Sequence, residues 1–159
     1  MIIVCDTSPI TNLIRIDRLH LLEALYGQII IPPAVYRELI RYERQGSLIA
    51  AQDWITTRSV SDESAVVALR EILDPGEAEA IVLAEELGAD ALIIDERKGR
   101  SLARQQGLRI IGLLGVLVAA KNSELIETVK PIMDQLIEAA NFRISTKLYQ
   151  QILIKVDEC

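Results

Sequence analysis

Two short apolar runs, each stopping on an aspartate, constrain this chain more than any other feature. Met1-Ile2-Ile3-Val4-Cys5 stops on Asp6, followed by Thr7, Ser8 and Pro9, and Ala91-Leu92-Ile93-Ile94 stops on Asp95. Aliphatic runs this short, with no polar alternation, suit strands covered on both faces, as in a parallel sheet. Each run passes straight into a helix-like segment, so each aspartate falls at the carboxyl end of a strand. That is the edge at which parallel α/β sheets bind ligands. Ser8 is read as the cap of the first helix, with Pro9 at its first position, where a missing N–H costs nothing.

The rest of the chain repeats the alternation. Helices are expected over 8–16, 19–26, 33–42, 46–52, 65–73, 77–87, 96–106, 113–121, 123–140 and 146–156, and strands over 28–31, 54–58 and 108–111. Gly27, Gly88 and Gly107 stand where helices close. Asp74-Pro75-Gly76 is a strong break, Pro131 kinks or splits the helix it falls in, and Ser145 caps the last one. The expected face of the 33–42 helix is Val35, Leu39 and Tyr42. Along the last helix, Leu148, Ile152 and Val156 form an apolar stripe expected in the core. Strands alternating with helices throughout predict an α/β fold, a three-layer α/β/α sandwich with a mainly parallel central sheet, as a single domain over 1–159.

Four acids come into view once that architecture is assumed. Asp6 and Asp95 end strands. Glu77 opens the helix that leads into the Asp95 strand, and a helix of about eleven residues, a turn at Gly88 and a returning strand bring 77 and 95 to one edge. Glu38 arrives on a separate helix, about a turn in. Carboxylates gathered at one edge repel each other unless cations neutralise them, and an oxygen-only set without His or Cys selects hard cations, Mg²⁺ or Mn²⁺. Such ions activate water and stabilise phosphoryl oxygens in phosphodiester hydrolysis. Each acid also has a purely structural use: Asp6 and Asp95 as helix caps, Glu77 and Glu79 in a first turn where the macrodipole favours them, Glu38 paired on a solvated face.

The charge balance is 17 basic against 23 acidic residues, net −6, which argues against a protein that holds nucleic acid by overall charge alone. The cysteines, Cys5 and Cys159, give neither a zinc spacing nor a disulfide framework. No apolar run is long enough to span a membrane, and Met1 leads straight into the first strand without a signal peptide, so a cytoplasmic location is expected.

The ordered set Asp6-Thr7-Ser8, Glu38 in Pro33-Ala34-Val35-Tyr36-Arg37-Glu38-Leu39, Gly76-Glu77-Ala78-Glu79-Ala80 and Asp95-Glu96-Arg97-Lys98-Gly99-Arg100 resembles the PIN domain, most closely VapC-type toxins and a subset with these last two runs. The resemblance implies a Mg²⁺- or Mn²⁺-dependent endoribonuclease acting on RNA, a frequent homodimer, and often an antitoxin that inhibits by entering the active-site groove. It implies Asp6 as the central metal ligand, Glu38 and Asp95 as flanking ligands, Glu77 as the fourth acid, and Thr7 or Ser8 in support through hydrogen bonds. The third acid is commonly Asp in such toxins. Here it is Glu, and Glu79 is its rival; counting back from Gly88 favours Glu77.

Arg97, Lys98, Arg100, Arg104 and Arg109 form a basic run after Asp95. It can position phosphates beside the metal site, with Arg97 and Lys98 foremost and Arg100 next, or pair with Glu96 and other surface acids. His20 is expected on a helix surface. The tyrosines and Trp54 are scattered and form no stacking platform. Gly112-Leu113-Leu114-Gly115 lacks the Lys-Ser/Thr of a phosphate loop. The other function classes are a PIN-type module that holds RNA or protein without turnover, and a Mg²⁺-carboxylate receiver or phosphatase. The phosphatase wants Asp-x-Asp, and here the residue two beyond Asp6 is Ser8.

Overall fold

The computed structural model describes residues 1–159 throughout. Its strands are β1 (Ile3–Cys5), β2 (Ile29–Ile31), β3 (Ile55–Thr57), β4 (Ala91–Ile93) and β5 (Ile110–Ile111). They form one sheet in the order β3-β2-β1-β4-β5, every neighbouring pair parallel. The register sets Val4 opposite Ile30 on one side and opposite Leu92 on the other.

Ten helices cover the sheet: α1 (Thr7–Arg15), α2 (His20–Tyr26), α3 (Pro33–Leu39), α4 (Glu43–Ala50), α5 (Glu63–Leu69), α6 (Pro75–Leu87), α7 (Arg97–Gln105), α8 (Leu113–Asn122), α9 (Lys130–Ala139) and α10 (Thr146–Lys155). The strand pleat divides the core in two. Ile3, Cys5, Ile29, Ile31 and Ile93 face a cluster that includes Ile10 and Leu13 of α1, Leu21 and Leu22 of α2, and the buried sides of α8 and α9. Val4, Leu92 and Ile94 face Val66 of α5, Ala78 and Ala80 to Ala84 of α6, and Ala103 of α7. The result is the α/β/α sandwich expected from the sequence, with the sheet wholly parallel. No helix is long and apolar enough to cross a membrane.

Local chemistry explains most of the boundaries. Gly88 closes α6 at φ 56°, ψ 46°, a left-handed conformation that costs glycine little. Ser145 Oγ accepts the Leu148 N–H at 3.1 Å and caps α10. The break at Asp74-Pro75-Gly76 is a capping box: Asp74 Oδ1 accepts the Glu77 N–H at 2.8 Å and Glu77 Oε2 accepts the Asp74 N–H at 3.3 Å.

Four expectations change. The first helix starts at Thr7, so Ser8 is not its cap; Asp6 holds that position with extended backbone. The expected helix over 123–140 is only α9, because Glu124 turns to φ 60° after α8 and Pro131 falls in the first turn of α9, where its missing N–H costs nothing. Helix α3 ends at Leu39, leaving Tyr42 outside it and 65% exposed. Of the stripe expected in the core from the last helix, Val156 is buried and Ile152 packs against the core, with Leu153 buried beside them, but Leu148 is 40% exposed and lines a groove described below.

Candidate metal centre

Strands β1 and β4 lie side by side, and the helices that follow them pack on opposite faces, α1 with the first core cluster and α7 with the second. A crevice must open where two successive loops part in this way. The Asp6 N–H donates to the Ile93 carbonyl at 2.9 Å, which places Asp6 level with the end of β4, two residues short of Asp95. Asp6 is 4% exposed, and Asp95 is half-buried.

Helix α3, which follows β2, packs against α6 and carries Glu38 into the same crevice. The fit is close because residue 76 is glycine: a Cβ there would lie 2.8 Å from Glu38 Oε1. Thr7 Oγ1 donates to Glu38 Oε2 at 2.5 Å, and Ser8 lines the crevice beside it. Glu77, 6% exposed, stands at the N-terminus of α6 with its carboxylate turned toward the Asp74 N–H.

Glu79 has a different job. Two helical residues rotate it by about 200° from Glu77. There its Oε1 accepts the Ala34 N–H at 3.0 Å and its Oε2 stands 3.7 Å from the Arg37 guanidinium. Helix α3 starts after Pro32, which has no side-chain acceptor to offer, so Glu79 satisfies an N–H that would otherwise be orphaned. Of the two rivals, Glu77 lines the crevice and Glu79 does not.

The crevice has a volume of about 570 Å³ and gathers Asp6, Glu38, Glu77 and Asp95 with two acids that sequence reasoning missed, Asp74 and Glu96. The signal for Asp74 was present: the carboxylate that makes Asp74-Pro75-Gly76 a helix start must stand at the N-terminus of α6, beside Glu77. Glu96 in turn caps α7 through the Gly99 N–H. Of the expected phosphate contacts, Arg97 and Arg100 line the neighbouring groove, whereas Lys98 is exposed and lines neither that groove nor the crevice. His20 is exposed on α2, as expected.

Burial leaves three of these acids short of charge stabilisation, and repulsion from neighbouring carboxylates adds to it at Asp6 and Glu77. Burial pushes the Asp6 carboxyl well above its usual range, with Glu77, Asp74 and Glu38 adding to the rise and the Thr7 N–H opposing it. Burial, then Asp74, raises Glu77 to about 7, against the capping hydrogen bond. Burial raises Asp95, with the Leu113 N–H and Arg100 pulling the other way.

Whether a hard cation suits this set can be tested on the oxygens themselves. Asp95 Oδ1 accepts the Leu113 N–H at 2.7 Å, but its Oδ2 is buried with no partner. Asp6 occupies a cap position without a side-chain bond capping the helix. A buried carboxylate oxygen left open, as Asp95 Oδ2 is, is uncommon unless something else satisfies it, and oxygens alone match Mg²⁺ or Mn²⁺ in kind. As the side chains stand, no three acidic, histidine or cysteine groups form a set that could hold a metal ion. Glu38 is held by Thr7 and Glu77 by the Asp74 N–H, so both would have to turn inward.

No curated protein matches the chain. The family model described as the PIN domain matches residues 2–158, nearly its whole length. An all-parallel five-stranded sheet with acids gathered at its switch point agrees with that match, and the chain belongs to the PIN-domain family, whose members are generally nucleases.

Proposed function

We propose that this protein is a Mg²⁺- or Mn²⁺-dependent endoribonuclease that hydrolyses RNA phosphodiester bonds. The observation that carries the reading is the pair of strand-end aspartates: Asp6 buried without a capping bond, and Asp95 beside it with one buried oxygen unpartnered. Asp6 and Asp95 hold the cation, with Glu38 and Glu77 completing the set. A bound divalent ion supplies an activated water and neutralises charge developing on the phosphoryl oxygens. The chain's own residues do the rest. Thr7 orients the Glu38 carboxylate through its hydroxyl, Ser8 lines the same wall, and Arg97 and Arg100 stand beside Asp95 to take a substrate phosphate. The likeness to VapC-type sequences supports a biological setting as the toxin of a toxin–antitoxin pair, working as a cytoplasmic homodimer that a partner protein restrains.

The test is cleavage of a labelled RNA in Mn²⁺ or Mg²⁺ by wild type and Asp6→Asn, with and without EDTA. Cleavage by the wild type alone, and only with metal, is the expected result; equal cleavage by both proteins in EDTA rejects it. Growth arrest on induced expression of the wild type but not of Asp6→Asn tests the toxin role.

A second reading has its own observation. Glu38 and Glu77 are both engaged by neighbours, and no three acids form a metal-holding set as they stand. This favours a PIN-type module that binds RNA or protein with little or no turnover. Absence of Mn²⁺ uptake by calorimetry, together with RNA binding but no cleavage, selects it.

A further inference from the structure

The acidic crevice does not end at its rim. On one side it shares Asp95, Phe142 and Arg143 with a groove of about 870 Å³ between α7 and α10. On the other it shares Thr7, Thr11, Arg15 and Glu38 with a groove of about 1100 Å³ between α1 and α4. Three cavities with common walls form one trough, with the carboxylates in its middle.

Charge is distributed along the trough in a way the whole-chain balance of −6 conceals. The α7–α10 groove is lined by Arg97, Arg100, Arg104 and Arg143, with Asp95 its only acid. The α1–α4 groove is lined by Arg15, Arg41 and Arg44 against Asp17 and Glu38. None of these seven arginines takes part in an ion pair: the three ion pairs of the protein use Arg37, Lys121 and Lys130. Arg15 gives one N–H to the Ala140 carbonyl at 3.4 Å and keeps the others; surface arginines without carboxylate partners can take bidentate contacts to phosphate. The Arg100 guanidinium lies over Gly112, in the space a Cβ there would need, and beside Asp95.

Aromatic rings punctuate the same path. Tyr42 is 65% exposed in the α1–α4 groove, and Phe142 stands half-buried where the crevice meets the α7–α10 groove. Rings alternating with cations are what an unpaired strand uses, since only unpaired bases offer their faces for stacking.

We infer that single-stranded RNA runs the length of this trough, with phosphates on one side of the cleaved bond held by Arg100, Arg104 and Arg143, and those on the other side held by Arg15, Arg41 and Arg44 with a base stacked on Tyr42. This rests on the ribonuclease reading and adds the strand's path and the groups that hold it. The acidic centre repels the backbone wherever no cation sits, so affinity comes from the two arms.

The test uses Asp6→Asn protein in EDTA, so that binding is read without cleavage, and follows the anisotropy of a short unstructured fluorescent RNA against salt. Arg104→Ala, Arg143→Ala, Arg41→Ala and Arg44→Ala are each expected to weaken binding several-fold and to flatten the dependence of log affinity on log salt by about 0.7. Arg104→Lys should recover the slope, and Tyr42→Ala should lose roughly tenfold in affinity with the slope kept. Arg109→Ala, outside the trough, should change neither. The inference is overturned if all four arginine variants keep the wild-type slope, if a duplex of the same sequence competes as well as the single strand, or if no RNA binds at low salt. Cleavage by the otherwise wild-type protein in Mn²⁺ decides the ribonuclease reading separately. Cleavage with unchanged slopes removes the trough alone, and altered slopes without cleavage remove the enzyme alone.

Discussion

Gly76 of α6 backs directly onto the Glu38 carboxylate of α3, with room for a hydrogen but not for a methyl group: a Cβ at 76 would lie 2.8 Å from Oε1 and 3.1 Å from Oε2. The two helices pack tightly here, and the carboxylate sits where a side chain would otherwise go.

Gly76→Ala therefore acts on the site more than on the fold. The added methyl displaces Glu38, while alanine in a helix is favoured over glycine by up to about 1 kcal/mol and offsets much of the clash. The expected outcome is a loss of cleavage of roughly tenfold or more, on the scale of about 1.4 kcal/mol in transition-state binding, with thermal stability changed by less than about 1 kcal/mol. Unchanged Mn²⁺ affinity and cleavage would show that Glu38 has no part in the centre.

Asp6→Asn separates the metal role from the structural one. Burial and neighbouring acids make the ionised Asp6 carboxyl unfavourable in the fold. An amide of the same shape removes that cost, so without metal the variant should melt at a higher temperature than wild type above neutral pH. With Mn²⁺ the order should reverse, because only wild type gains stability from binding. Melting curves of both proteins with and without Mn²⁺ decide the matter.

Glu77 sets a pH dependence whose sign follows from its raised value of about 7 against 4.5 for the ordinary group. In the fold Glu77 keeps its proton at a pH where the unfolded chain has released it. Unfolding then releases protons, and metal-free stability falls as pH rises from about 4.5 to about 7. Asp6 and Asp95 are raised too and act in the same direction. Glu77→Gln should remove this component and be more stable than wild type at pH near 8 by about 2 to 3 kcal/mol. Denaturant melts across the range would show a slope that is steeper in wild type than in the variant, which keeps only the part due to Asp6 and Asp95; equal slopes in both count against the assignment.

Glu79→Ala should do the reverse of Glu77→Gln. It leaves the Ala34 N–H at the start of α3 without its acceptor and removes the Arg37 contact, costing about 1 kcal/mol of stability. Since Glu79 does not line the crevice, Mn²⁺ uptake should stay near wild type. A loss of metal binding with the fold intact would reopen the choice between the two glutamates.

Much of this was legible in the chain because short-range chemistry decided it. The aliphatic runs before Asp6 and Asp95 could only be covered strands, Gly88 could turn left-handed where other residues resist, and the Ser145 hydroxyl needed only the Leu148 N–H three residues on. The misread segments failed where two local rules competed. Ser8 and Asp6 are both good caps, and the backbone turned at Asp6. The stretch from Ser123 onward carried a helical pattern that the φ of 60° at Glu124 interrupts. The tyrosines and Trp54 looked scattered because the fold alone sets Tyr42 in a groove adjoining the crevice that Phe142, a hundred positions on, also lines.

By itself the sequence determined which residues are strands, which acids end them and what chemistry such acids favour, since these depend on neighbours within a few positions. Only the tertiary structure decided that β1 and β4 are adjacent, that α3 seats Glu38 against Gly76, that Glu77 lines the crevice while Glu79 holds a helix start, and that Asp74 joins the cluster. Those outcomes depend on strand order and helix packing across dozens of residues. A carboxylate's role is set by what it meets there, and the chain's local pattern leaves that meeting open.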